Sequence, residues 1–173
     1  MARVIIPNFS VSISEPLIYL AGPIRSAPNW QDEAIKLIFS VDENIAVASP
    51  RRGIRPPIFS YLASEEGYFP RQRAWEIHYM NLAYKTGAIL FWLPGEESHD
   101  CSKVYGAMSR FELGLWINEQ RRNPGGNLCF GTDGKFPEWD TINYDLSIEM
   151  PDKIIYNTLE ETCSEAVCLA RGR

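Results

Sequence analysis

The stretch with most chemical potential is Gly106 to Trp116, which carries one acidic residue, Glu112, among small and apolar neighbours. Met108, Phe111 and Leu115 fall at i, i+3 and i+7, the spacing of one apolar helix face. That spacing predicts a helix with those three side chains inward and Glu112 on another face. A carboxylate near a helix N-terminus is held ionised by the unpaired amides there. Just upstream, Ala88 to Leu93 is a continuous apolar run stopped by Pro94-Gly95, which reads as a buried strand. A carboxylate at the start of a helix that follows a buried strand has the address of a nucleophile. Read by itself it is more often a solvated helix residue, the commoner fate of a glutamate.

The elements that must position this residue follow from the rest of the chain. Pro16 opens a first clear strand, Leu17 to Ala21, ended by the small-residue turn Gly22-Pro23-Ile24-Arg25-Ser26. Such a turn admits a ligand close to the backbone, and it is also an ordinary strand-to-helix turn. Asn29, with Asp32 three residues on, suits a helix cap; Trp30, Ala34, Leu37 and Ile38 then follow helical spacing. Ile45 to Ala48 reads as a second strand. Residues 51–70 form a long irregular segment rich in Pro, Gly and aromatics, of the kind found as lids and binding loops. Its Arg51, Arg52 and Arg55 are read as surface charge in preference to a phosphate site. Pro70 suits the first turn of a helix whose buried stripe is Trp75, Tyr79, Leu82 and Ala83, with Glu76 one position round from it.

Later elements continue the alternation. The helix with Glu112 runs to about Arg122 and is stopped by Asn123-Pro124-Gly125-Gly126. Leu128-Cys129-Phe130 reads as a strand, Gly131 to Glu149 as irregular, and Ile154 to Tyr156 as a short last strand. Thr158 and Glu161 form a capping-box pattern before a helix with Leu159, Cys163, Ala166, Val167 and Ala170 inward. Strands alternating with helices imply an α/β fold with a parallel sheet and helices on both faces. Right-handed crossovers bring the strand carboxyl ends to one rim. Tyr19, the Gly22-Pro23 turn, Glu76 and Glu112 are expected to meet there.

Composition bounds the rest. The 173 residues fit one domain, and 45 % apolar content supports a core without covalent staples. We expect a loosely attached N-terminal arm over residues 1–15, in which Val4 to Ile6 and Val11 to Ile13 are able to add an edge strand, and a single domain over residues 16–173. A net charge of −5 argues against a nucleic-acid partner. Cys101, Cys129, Cys163 and Cys168 lack metal spacing, and the two histidines, His78 and His99, do not pair, so no metal is expected. The sequence has no signal-peptide pattern and no run long enough to span a bilayer, so a cytoplasmic protein with reduced thiols is expected.

Taken together, several stretches resemble the nucleoside 2-deoxyribosyltransferase-like family. They are Ile18 to Ile24, Trp30 to Ala34, Pro50 to Gly53, Gln72 to Glu76, Ile89 to Pro94, Arg110 to Gly114 and Asn143 to Leu146. The resemblance implies a flavodoxin-like, Rossmann-type fold and transfer of 2-deoxyribose between nucleobases, with nucleosides and free bases as partners. It further implies that Glu112 is the nucleophile, that Tyr19 orients it, and that Glu76 binds the sugar hydroxyls. Ala21, Gly22, Pro23 and Ile24 would line the base pocket. Family members are commonly homo-oligomers, which is implied here too.

Two positions depart from the family pattern. An Asp usual near the end of the helix before the Ala88 strand is absent, and Gly106 stands where relatives carry Asp or Ser. The acid for the leaving base is therefore open, with Asp100 as the candidate. The chemistry itself requires no metal or redox cofactor: a carboxylate attacks the anomeric carbon, holds the sugar covalently and releases it with retention. Water as acceptor would make the protein a nucleoside or nucleotide N-glycosidase. A module that binds nucleotide without turnover is the third reading. Apolar residues of the 51–70 segment (Ile54, Ile58, Phe59, Tyr61, Leu62, Tyr68 and Phe69), widened by Trp116 and Ile117, are expected to form a self-association surface.

Overall fold

A computed structural model describes residues 3–7, 9–51 and 68–172. In chain order the elements are β1 (Arg3–Ile5), β2 (Leu17–Ala21), α1 (Trp30–Val41), β3 (Ala46–Ala48), α2 (Tyr68–Thr86) and β4 (Ala88–Leu93). They continue with α3 (Ala107–Arg122), β5 (Leu128–Thr132), α4 (Trp139–Glu149), β6 (Ile155–Tyr156) and α5 (Leu159–Ala170). The six strands form one parallel sheet in the order β1-β3-β2-β4-β5-β6. Apart from the added edge strand β1, this is the flavodoxin-like doubly wound order, with its reversal between β2 and β4. The α/β fold expected from the alternation is the observed one.

The central strands are apolar throughout because both faces are covered. Every residue of β2 and β4 is buried. On one face Tyr19 meets Trp75 of α2, Trp75 in turn meets Tyr79, and Phe91 stacks on Phe130 at 5.8 Å. Helix α3 joins this face through Trp116, whose ring sits 5.0 Å from Tyr84 and whose Nε1 donates to the Met80 sulfur. The other face is closed by α1 and α5, with Cys129 Sγ against Thr162 O and Cys163 Sγ against Ala34 O. Thr158 caps α5 as expected, accepting from Glu161 N at 3.2 Å.

Five expectations need correction. First, the N-terminal segment is not loosely attached. Ile5 is buried, β1 pairs with β3, Trp75 Nε1 donates to Phe9 O, and Val11 N donates to the Tyr79 hydroxyl. Val11 to Ile13 adds no strand.

Second, α3 is rotated relative to the expected face. Met108, Phe111 and Leu115 are about half exposed, while Ser109, Glu112, Leu113 and Trp116 are buried. Trp116 is thus a core residue and not part of an exposed belt. Third, residues 139–149 are helical. Only Leu146 of α4 is buried, so the segment lacks the apolar stripe by which helices are recognised.

Fourth, Asn29 makes no side-chain cap; its Nδ2 donates to Asp32 Oδ2 at 2.6 Å. Fifth, Arg51 is not plain surface charge. It donates to Gln31 Oε1 at 2.7 Å and to the carbonyl oxygens of Ile24, Ala27 and Pro28, strapping the turn after β2 to α1. Arg52 and Arg55, with Ile54, Ile58, Phe59, Tyr61 and Leu62, lie outside the described residues.

Candidate functional site

The strand reversal separates the turn after β2 from the loop after β4, and a crevice must open between them. A cavity of about 640 Å³ lies there, within the size range of small-molecule sites. It is lined by Tyr19, Ala21, Gly22, Pro23, Ile24, Glu76, Asp100 and Glu112, so the residues singled out in the sequence share one cavity wall.

Two local devices shape that wall. Gly22 has φ +152°, and a Cβ there would lie 2.2 Å from Trp92 O, so only glycine lets the turn pack on β4. Trp30 Nε1 and Gln31 Nε2 both donate to Pro23 O, at 2.8 and 3.2 Å, and fix the turn from α1. On the opposite side Gly106, at φ +65°, starts α3 in the left-handed region. A Cβ on Gly106 would meet the Phe136 ring at 2.5 Å. Arg110 lies 5.0 Å over that ring and donates to Tyr105 O and Pro137 O, locking the loop before α3 to the loop before α4.

The charged centre comes from α2 and α3. Glu112 is 9 % exposed and faces the cavity from the buried side of α3. Arg73 Nη1 donates both to Glu76 Oε2, at 2.8 Å, and to Glu112 Oε1. Gln72 Nε2 donates to Glu76 Oε1 at 2.9 Å. Residues 72, 73 and 76 fall on one face of α2 through i, i+3 and i+4 spacing, which is how one helix presents three polar groups to one point.

Burial pushes the Glu112 carboxyl above its usual range, Arg73 opposes that shift, and Glu76 adds to it. The first turn of α3 holds no acidic residue. The counter-charge for Glu112 is therefore Arg73 and not the helix N-terminus. Burial likewise raises the Tyr19 hydroxyl well above its usual value, reinforced by the charges of Glu112 and Glu76. Among the described residues the hydrogen bonds to Glu112 come from Arg73, and none comes from Tyr19. The structure thus shows no hydrogen bond behind the orienting role expected of Tyr19.

Asp100 sits at the outer wall, where its Oδ1 accepts from Ser102 Oγ at 2.6 Å and Ser102 N at 2.9 Å. These bonds favour the charged form and hold its carboxyl below the usual range. Arg73 was within a stretch singled out in the sequence but had no role there. Its spacing from Glu76 was the available signal; the contact with α3 was not.

Among the described residues no cluster of three histidine, cysteine or acidic side chains could hold a metal ion. None of the described helices is long and apolar enough to cross a membrane. Fold and site together define an α/β protein with an acidic, arginine-bridged cavity at its strand reversal. No protein-family model matches the chain, and no curated protein matches it.

Proposed function

We propose that the protein cleaves the N-glycosidic bond of a 2′-deoxyribonucleoside and transfers the sugar to a second base. The observation that carries this reading is a buried carboxylate, Glu112, set in a cavity at the strand reversal and joined through Arg73 to a second carboxylate, Glu76. Two carboxylates and one guanidinium carry a net charge of about −1 when ionised. A glycosidic transition state with oxocarbenium character carries the opposite charge, so the cluster stabilises it electrostatically.

In the first step a Glu112 oxygen forms a bond to C1′ while the C1′–N bond breaks. The electron pair passes to the base nitrogen, which takes a proton from solvent at the cavity mouth. In the second step the nitrogen of the incoming base attacks C1′, the ester C–O bond breaks, and Glu112 regains its charge while the incoming base loses its proton. Two displacements retain configuration. Glu76 accepts from the sugar hydroxyls, and the turn from Ala21 to Ile24 supplies the apolar side of the base site.

The resemblance of the sequence motifs to nucleoside 2-deoxyribosyltransferases supports the same reading. The exposed stripe of Met108, Phe111 and Leu115 on α3 supports self-association, since side chains of that size are seldom left together in water. The test is incubation of one deoxynucleoside with a different free base. Formation of the second nucleoside is expected; release of free sugar alone would make the protein a hydrolase.

A further inference from the structure

We propose that Arg73 is the positioning residue of this site, holding the Glu76 and Glu112 side chains in fixed register through one shared nitrogen. The inference rests on the reading of Glu112 as nucleophile. Its basis is geometric: the Nη1 atom of Arg73 bonds to one oxygen of each carboxylate, and the three side chains lie mostly out of solvent.

Among the described residues few other groups could do that task. Those facing Glu112 are Tyr19 from β2 and Arg73 and Glu76 from α2. Farther out, the turn after β2 contributes Arg25, and the loop before α3 contributes Glu96, Asp100 and Lys103. Arg110, on α3 itself, is engaged by backbone oxygens of Tyr105 and Pro137. Tyr19 carries no positive charge. If Arg73 is removed, burial and the Glu76 charge act on Glu112 in the same direction, and two close carboxylates then retain a proton between them. A protonated Glu112 is not a nucleophile.

The bridge also restricts geometry. Glu112 Oε1 is held by Arg73, which leaves Oε2 to attack C1′. Glu76 is held at both oxygens by Gln72 and Arg73, so its remaining lone pairs face a sugar in one orientation. As the ester forms, Glu112 loses its charge and Arg73 remains paired with Glu76, so the intermediate leaves no unpaired charge in the cluster.

The test uses Arg73→Gln and Arg73→Lys in the full chain. The Glu112 and Glu76 carboxyl carbons are followed by NMR titration without substrate, with assignments from Glu112→Gln and Glu76→Gln. In Arg73→Gln the Glu112 titration should move upward by a pH unit or more, and in Arg73→Lys it should stay near that of the wild type. Turnover of Arg73→Gln should fall at least tenfold at neutral pH and recover as pH is raised, with a much smaller change in KM. An unmoved titration, or a loss of equal size at every pH, would overturn the proposal. If Arg73→Gln does not fold, the wild-type guanidinium resonances of Arg73 decide: they should shift with the Glu112 midpoint, and independent midpoints would overturn it. The titrations need no catalysis, so they stand even if base exchange fails.

Discussion

The two faces of the sheet are built to different ends. Toward α1 and α5, contacts are apolar: Ala34, Ile38, Cys163 and Ala166 are fully buried, and a charged pair, Arg171 with Asp42, joins helix ends at the margin. Toward α2 and α3, aromatic packing gives way at the strand tips to Arg73, Glu76 and Glu112, and α3 turns apolar side chains outward. A face devoted to packing gains stability from each contact. A face that holds a desolvated carboxylate gives up some stability for reactivity, as active sites commonly do.

Substitutions on the two faces should therefore separate activity from stability. The largest effect is expected for Glu112→Ala, which should lower transfer about a thousandfold or more while the fold survives, since removal of a nucleophile costs orders of magnitude. Base-exchange kinetics with circular dichroism check this. On the opposite face, Ile38→Ala should cost about 2–5 kcal/mol of stability with turnover per folded molecule unchanged. Denaturant titration and active-site normalisation read both. A loss of turnover in Ile38→Ala beyond its unfolded fraction would break the comparison.

A smaller effect sharpens it. Folding makes Glu112 harder to ionise than it is in the unfolded chain, because burial raises its carboxyl above the usual 4.5 against the opposing pull of Arg73. The stability from that bound proton is fully present below the unfolded value and is lost as pH rises through the folded one. Glu112→Gln should accordingly match the wild type in acid and exceed it in stability at neutral pH. Thermal unfolding across pH measures the difference, and a less stable Glu112→Gln at neutral pH would contradict it.

Two weaker effects lie at the edges. Phe111→Ser should leave stability within about 0.5 kcal/mol and shift light scattering toward monomer. Asp100→Asn should cost less than about tenfold in turnover, since loss of a true general acid costs about 10²–10⁴-fold.

The same contrast explains what the sequence made legible. Strands β2, β4 and β5 and the helices α1 and α5 were readable because burial imposes a regular apolar pattern. The cavity wall was readable as well, because strand tips in a parallel sheet share a rim. Helix α4 was not readable: Tyr144 and Ile148 face solvent and Leu146 is its one buried residue, so no stripe marks it. The face of α3 was misread for a related reason. Met108, Phe111 and Leu115 mark the exposed side, while a glutamate and a serine share the buried one with Leu113 and Trp116. Hydrophobic periodicity locates a helix but assigns its inner face only when the core is what it packs against. Arg73 was missed because its partner on α3 is 39 residues away in the chain, a separation no local pattern records.

The central claim is that Glu112 carries the sugar between two bases. The most direct measurement is mass spectrometry of the intact protein and its peptides after incubation with a deoxynucleoside and no acceptor. The account predicts a mass gain of one deoxyribosyl unit on the peptide containing Glu112, discharged when a second base is added. An adduct on a different residue, or base exchange without any adduct, would contradict it.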